Sequence, residues 1–279
     1  MIQCLIKLVK LLSITSLIIF TNQNIYAKER LVIGATTSTY DSGLTAYIAN
    51  AFKDEFDYSI HVISQGTGQI INTAMMGNID ILLIHNKKSE DDFVDDGYGT
   101  RRYNLMYNDF IIVGPIDDPA KIQKSKNLKD VMVRIYNNKN IFVSRADKSG
   151  TYFKELELWA KADIDTNLIG DWYKKVGQGM GSSLNVANSI GGYILVDRST
   201  WTTSYRKNHL KILVEGYLEL RNQYSVILVN KEKIPSVNSK WGKIFLEWIL
   251  SDSGKILINN FMVNKQQLFF FNGDKYINE

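Results

Sequence analysis

Only one cysteine, Cys4, occurs in the 279-residue chain, and it stands before an N-terminal apolar run. The remainder has no thiol, which excludes a disulfide framework, a thiolate metal site and a cysteine nucleophile. Cys4 itself lies too near the start, and on the wrong side of the apolar run, to be a lipid-anchor site. Nothing after that run approaches the ~20 consecutive apolar residues of a membrane span. Basic clusters are no longer than "NKK" or "KEK", so no nucleic-acid or membrane-surface partner is indicated. Internal repeats, low-complexity tracts and linkers rich in Pro or in Gly and Ser are also missing. Catalytic constellations are scarce: His61, His85 and His209 lie far apart without ligand spacing, and neither a GxSxG elbow nor a GxxxxGK(S/T) loop occurs.

What is present begins with a leader. Lys7 and Lys10 precede the apolar run at 11–20, and a polar segment leads to Tyr26 and Ala27, with Ile25 at the minus-three position. This pattern predicts a secretory signal peptide, residues 1–27, cut after Ala27. Removing 27 of 279 residues leaves 252, enough for one large domain or two of ordinary size. Without Lys7 and Lys10, 31 of the 33 basic residues face 29 acidic ones, a net charge of +2. The mature protein is expected to be soluble, exported and stabilised by its core alone.

Short apolar runs alternate with helical patterns. Strands are predicted at 31–35, 60–64, 79–84, 110–113, 141–144, 193–196, 211–214 and 225–229. Leu44, Tyr47, Ile48, Ala51, Phe52 and Phe56 mark one helix face. Phe153, Leu156, Trp159 and Ala160 mark a second, and Trp241, Ile244, Phe245, Trp248 and Ile249 a third. Such alternation favours an α/β fold with mostly parallel sheets. Pro115 and Pro119 in "VGPIDDPAK" break regular structure. If the chain crosses between lobes at Gly114 and returns near 215–222, the lobes are 28–114 plus 220–279, and 115–219.

Two stretches share one form. In "RLVIGATTSTYDSGLTAYIANAF" a strand leads into a hydroxyl-rich turn and then a helix, with six Ser, Thr or Asp residues between Thr36 and Ser42. Free backbone N–H groups and hydroxyls at the positive end of a helix dipole form an anion site. Helix capping is the alternative, although it needs only one such residue. "IFVSRADKSGTYFKELELW" repeats the form, with Arg145 directly after the strand and Ser149, Gly150 and Thr151 at the helix start. Gly150 lets backbone approach a ligand, and a guanidinium grips two oxygens of one oxyanion. Arg145 paired on the surface with Asp147 is the competing reading. "SQGTGQIINTA" lacks the third glycine of a dinucleotide fingerprint and the acid a ribose needs, but Gly66, Thr67 and Gly68 could complete a cradle. "GQGMGSSLNVAN" at 177–188 does not follow a predicted strand and reads as a loop opening a helix. His85, at the carboxyl end of "DILLI", is expected to donate or to pack.

Taken together, these residues resemble the tungstate-binding receptors of ABC importers, relatives of the molybdate and phosphate receptors. The likeness rests on "TTSTYDSGL" at 36–44, "GTGQ" at 66–69, "GNIDILLIH" at 77–85, "GYGTRRYNLMYNDFIIVGP" at 97–115, "FVSRADKSGT" at 142–151, "WYKKVGQGMGSSLNVAN" at 172–188 and "YSVILVN" at 224–230. The resemblance implies a type II periplasmic binding protein fold: α/β, two-lobed, each lobe a mixed sheet flanked by helices, with the ligand in the cleft. It implies a non-enzymatic periplasmic receptor that captures tungstate, or the related molybdate, with no cofactor. The protein would act as a monomer and deliver its ligand to a membrane permease and its ATPase by hinge closure. The implied ligands are Thr36, Thr37 and Ser38 in one lobe and Arg145, Ser149, Gly150 and Thr151 in the other, with Gly66, Thr67 and Gly68 close by. Ala35 replaces the first Thr of the family's TTTS segment, so one hydroxyl is lost.

Phosphate receptors of similar pattern carry a carboxylate that accepts the proton of hydrogen phosphate, where this chain has His85 and Asn86. A donor-only site suits tungstate, molybdate or sulfate. A phosphate- or sulfate-type receptor is the nearest alternative. An exported phosphate- or sulfate-ester hydrolase would need a nucleophile and base or a metal, and a signalling or adhesion module would leave the cleft unused.

Overall fold

The structure, a computed structural model, describes residues 30–276; the expected leader, 1–27, lies outside them. In chain order the elements begin with β1 (Leu31–Thr36), α1 (Thr37–Asp41), α2 (Leu44–Phe56), β2 (Ile60–Gln65), α3 (Thr67–Met75), β3 (Ile81–Ile84) and α4 (Lys87–Asp95). Next come β4 (Gly99–Pro115), α5 (Leu128–Asn137), β5 (Phe142–Ser144), α6 (Gly150–Lys161), β6 (Tyr173–Lys175) and α7 (Met180–Ile190). Last come β7 (Tyr193–Asp197), α8 (Arg198–Thr203), β8 (Leu210–Val214), β9 (Arg221–Val229), α9 (Ser239–Leu250), α10 (Asp252–Asn260) and three two-residue strands, β10 (Met262–Val263), β11 (Gln266–Gln267) and β12 (Phe270–Phe271).

One long strand organises the molecule. β4 pairs antiparallel with β9 from Gly99 to Asp109, then with β7 from Phe110 to Val113, while β8 takes its other edge from Ile112 to Pro115. The main path of the sheet is therefore β2-β1-β3-β9-β4-β7-β5-β6. β1, β2 and β3 are parallel, as are β5, β6 and β7, but β4 and β9 run against their neighbours. The sheet is mixed rather than mostly parallel. Its first half follows β4 to Asp109 and its second half begins at Phe110; the chain returns through the segment between β8 and β9.

Each half is covered by helices on both faces, as parallel strands require. In the first, Leu31, Ile33, Leu83, Val226 and Leu228 pack with Ile48 and Phe52 of α2 and Phe245 and Ile249 of α9. Their alternate neighbours Val32, Leu82, Ile84 and Ile227 pack with Ile70 and Ala74 of α3 and Phe93 of α4. In the second, Phe110, Ile112, Phe142 and Leu195 face Val131 and Ile135 of α5 and Leu158 and Trp159 of α6. Ile111, Val113, Val143 and Val196 face Met180, Leu184 and Ala187 of α7. The strict two-residue alternation assigns each side chain to a layer, and each buried aliphatic or aromatic side chain contributes about 1.5–3 kcal/mol.

Helix α6 departs from its predicted face. Thr151, Glu155, Leu158 and Trp159 are buried, while Phe153 is 41% exposed. A carboxylic acid replaces the apolar residue that periodicity assigned to the interior.

The crossing between halves is clamped by charge. Arg198, opening α8, donates to both carboxylate oxygens of Asp109 at 2.7 and 2.6 Å and to Glu215 at 2.7 Å. One guanidinium thus ties β4, where it changes partner, to the returning segment. Because Arg198 and Asp109 are 17% and 30% exposed, solvent screens the pair only in part. Asp109→Ala is expected to lower unfolding free energy by about 1 kcal/mol in urea titration, by less at high salt, and by more than Glu215→Ala.

Candidate functional site

Ligands of open α/β sheets lie beyond the carboxyl ends of parallel strands. Here β1 ends at Thr36, β2 at Gln65, β5 at Ser144 and β6 at Lys175, and the loops that follow converge. They enclose a cleft of about 600 Å³, lined by Thr37, Gln65, Gly66 and Gly68 from the first half and by Arg145, Asp147, Lys148 and Gly177, Gln178 and Gly179 from the second. Another cavity, of about 540 Å³, lies against Tyr103, Leu228 and Lys243 and contains none of these loops.

Three of the helices that begin at the cleft differ locally from most others. Six of the ten described helices have a side-chain cap on their first turn: α4 from Asn86, α5 from Asn127, α6 from Ser149, α8 from Asp197, α9 from Asn238 and α10 from Ser251. Those without one are α1, α2, α3 and α7, whose N-cap residues are Thr36, Gly43, Gly66 and Gly179. Three of these four, α1, α3 and α7, begin at the cleft wall. Their first amides are left for another acceptor. A Cβ added at Gly66, Gly68 or Gly179 would meet nothing within 4 Å, so the protein's own packing does not require glycine there.

Arg145 is the one cation buried in this wall, at 4% exposure. Its Nη2 donates to Asp147 at 2.5 Å and its Nη1 to Thr151 Oγ1 at 3.4 Å, but Nε has no protein partner. The hydroxyl of Thr67, 1% exposed, is also unpartnered. Buried donors without acceptors are costly, by about 1–3 kcal/mol each, and more when charged. Two donors in this state beside uncapped helix starts fit an anion. Asp147 both orients Arg145 and accepts the Ser149 amide at 3.2 Å. The turn that permits this holds Ala146 and Lys148 at φ of 48° and 58°, a left-handed conformation that non-glycine residues adopt at a cost.

The other expected contacts sit behind this wall. Thr36 Oγ1 lies 3.5 Å from Ser38 Oγ, and Ser38 Oγ lies 3.3 Å from the Tyr224 hydroxyl. Ser149 Oγ caps α6 by accepting the Tyr152 amide at 3.2 Å, which leaves its own proton to donate. Ser38, Thr67, Ser149, Gly150 and Thr151 are buried. Ala35, where the family's Thr is replaced, is fully buried in the apolar core rather than in the cleft.

His85 fills the space beside Gly150. A Cβ on Gly150 would stand 2.7 Å from the imidazole Cε1 and 2.9 Å from the His85 carbonyl oxygen. The glycine thus admits the end of β3 from the other half of the sheet. Asn222 Nδ2 donates to Asn108 Oδ1 at 2.8 Å and to Tyr224 OH at 3.1 Å. Its Oδ1 therefore accepts from His85 Nδ1–H, at 2.8 Å. Burial pushes His85 down to about 4, with the Arg145 charge acting the same way, against Asp197 and the Asn222 hydrogen bond. The ring is neutral at neutral pH.

Residues 23–253 match the PBP superfamily domain. The chain belongs to the PBP superfamily. Among its relatives is tungstate-binding protein TupA of Peptoclostridium acidaminophilum, 39% identical over 237 residues, 84% of this chain and 82% of the relative. The structure of the tungstate ABC transporter from Geobacter sulfurreducens is 38% identical, with a TM-score of 0.77 over 84% of this chain and 100% of that one. Tungstate-binding protein TupA from Desulfovibrio alaskensis gives 37% and 0.77, over 88% and 99%.

Sequence reasoning passed over one wall of this PBP-superfamily cleft. Gly177, Gln178 and Gly179 follow β6, whose three residues, "YKK", include two exposed lysines and no apolar run. An edge strand this short leaves no periodic signal. On α6, Glu155 is 2% exposed and accepts from Tyr173 OH at 2.5 Å. Burial pushes its carboxyl up to about 8, with Asp147 adding to the rise and the Tyr173 and Ser144 hydroxyls opposing it.

Because the Glu155 pKa is raised on folding from 4.5 to about 8, the folded state holds the extra proton. Its contribution is complete below about pH 4.5 and is lost as pH rises through about 8. The melting temperature of the unsubstituted protein should therefore fall relative to that of Glu155→Gln between about pH 5 and pH 8. Gly150→Ala should destabilise by about 1–3 kcal/mol through overpacking on His85, and His85→Ala should relieve part of that loss in a double-mutant cycle followed by urea unfolding.

Proposed function

We propose that this protein is the extracytoplasmic solute-binding receptor of an ABC importer, and that it captures tungstate, or the related molybdate, as a fully deprotonated tetrahedral dianion. The observation that carries this reading is the buried Arg145, whose Nε is unpartnered, in a cleft ringed by uncapped helix starts. Relatives named for tungstate binding support the choice of anion.

The ligand set is Thr36, Thr37, Ser38, Gly66, Thr67 and Gly68 from one lobe and Arg145, Ser149, Gly150 and Thr151 from the other. A dianion surrenders strong hydration on leaving water, so many charge-assisted hydrogen bonds of about 1.5–3 kcal/mol each must replace it. Neither lobe supplies enough donors alone. Ligand held by one lobe therefore favours the closed arrangement, in which the other adds its contacts. The crossing of β4 and the return into β9 serve as the hinge.

The acid in the cleft wall, Asp147, is already engaged by Arg145 and by the Ser149 amide. His85, at the end of β3, offers no carboxylate. The carboxylate of the cleft wall is thus already engaged, and a wall built on a guanidinium and uncapped helix starts suits an anion without a proton. The receptor works without catalysis or cofactor, as a periplasmic monomer released after Ala27, and hands its ligand to a membrane permease with its ATPase.

Sodium tungstate at 1,000 times its dissociation constant should stabilise the protein by about 4 kcal/mol. That gain should appear as a strong rise in melting temperature by differential scanning fluorimetry. Arg145→Gln should remove most of it; a full shift in the variant would mean that Arg145 is not a ligand.

A further inference from the structure

Glu155 has no place in the ligand set above, yet it stands one turn beyond Thr151 on α6 and is buried. We propose that Glu155 is a positioning residue of the oxyanion site: through Tyr173 and Ser144 it ties α6, whose start holds Ser149, Gly150 and Thr151, to the end of β5 that carries Arg145, and its charge is linked to the ligand's, so that capture draws a proton onto it. Resting on the receptor reading, this adds a proton to the binding equilibrium.

The contacts join three elements. Tyr173 OH, on β6, lies 2.5 Å from Glu155 Oε1 and 3.1 Å from Ser144 Oγ, and both partners are buried. Ser144 closes β5 directly before Arg145. The guanidinium is tied to the same helix one turn earlier, where Arg145 Nη1 donates to Thr151 Oγ1 at 3.4 Å. A phenol has one proton to give. With Glu155 protonated, the acid donates to Tyr173 and the phenol to Ser144; with Glu155 ionised, both bonds reverse. The rings of Phe142, Trp159 and Tyr173 pack against one another with centroids 5.1 to 6.2 Å apart. Packing among them would be served by an apolar residue, and an acid costs more to bury. What the acid adds is the hydrogen-bonded chain.

Charge in the anion wall reaches this carboxyl. Asp147, the ion-pair partner of Arg145, adds to the upward push that burial gives Glu155. A dianion held by Arg145 acts in the same sense, so bound oxyanion favours protonated Glu155 and, reciprocally, ionised Glu155 disfavours the oxyanion. The other charged or titratable groups around Glu155 are Tyr152 on its own helix, Tyr173 on β6 with Lys175 Nζ 5.7 Å from its ring, and Arg145 and Asp147 in the turn after β5. Helix α5, packed on α6, contributes Val131 and Ile135. Tyr152 and Tyr173 are pushed up, and His85, beside Gly150, is pushed down to about 4. None of these three changes charge between about pH 7 and pH 9, whereas Glu155, at about 8, does.

Calorimetric titration with sodium tungstate between pH 7 and pH 9 is the test. If capture raises the Glu155 pKa by about one unit from about 8, the dissociation constant should rise about fivefold from pH 7 to pH 9. About half a proton should be taken up per ligand at pH 8.5, read as a binding enthalpy that changes with the ionisation enthalpy of the buffer. In Glu155→Gln, whose amide still donates to Tyr173, the pH slope and the buffer dependence should both vanish. Tyr173→Phe, which cuts the chain and keeps the ring, should weaken binding several-fold at pH 7. A flat profile with buffer-independent heats in the unsubstituted protein, a measurement that needs no variant to fold, would overturn the inference and leave the receptor reading in place. An unchanged slope in Glu155→Gln, or full affinity in Tyr173→Phe, would overturn it too. If the unsubstituted protein binds no tungstate at any pH, the receptor reading itself fails.

Discussion

A guanidinium that is 4% exposed and lacks a partner on one nitrogen sets the terms for everything around it. Removing such a charge from water costs several kcal/mol unless neighbouring groups compensate it. Asp147 does so on one side, and the strained turn through Ala146 and Lys148 holds it there. Arg145 Nε keeps no protein partner, and the residue lines the cleft. In the proposed receptor an oxyanion would complete the compensation, and the neutral imidazole of His85 avoids placing another positive charge beside the guanidinium.

The sheet explains why donors dispersed along the chain meet. Loops after β1 and β2 come from one half of the sheet and loops after β5 and β6 from the other, and every one of them leaves the carboxyl end of a parallel strand. β4 carries the chain between the halves and changes partner between Asp109 and Phe110. The two halves touch where Gly150 admits His85; beside that contact Ser38, Tyr224, Asn222 and Asn108, all of the first half, form a buried polar chain.

Two buried titratable groups lie near the anion wall with opposite consequences. Burial favours the neutral form of both, holding His85 deprotonated and Glu155 protonated near neutral pH. Keeping these two groups neutral adds no buried charge to the one that Arg145 and Asp147 already share.

Much of this was legible in the chain. The strand, turn and helix succession at 31–56 and at 142–161 is visible because hydroxyl-rich helix starts follow apolar runs, and Arg145 is conspicuous directly after a strand. The apolar faces of α2 and α9 follow from their 3.6-residue period. Other features carried no local signal. Half of β4 is polar because one of its faces is partly solvated, so only 110–113 reads as a strand; β6 is a three-residue edge with two lysines outward; and Glu155 occupies a place that periodicity reserves for an apolar side chain. The order of residues alone decided which segments form strand ends and helix starts, since those depend on near neighbours in the chain. Tertiary structure alone decided that the loop at 177–179 stands beside Arg145 and that Gly150 meets His85, because sheet pairing and packing join residues that no local pattern connects.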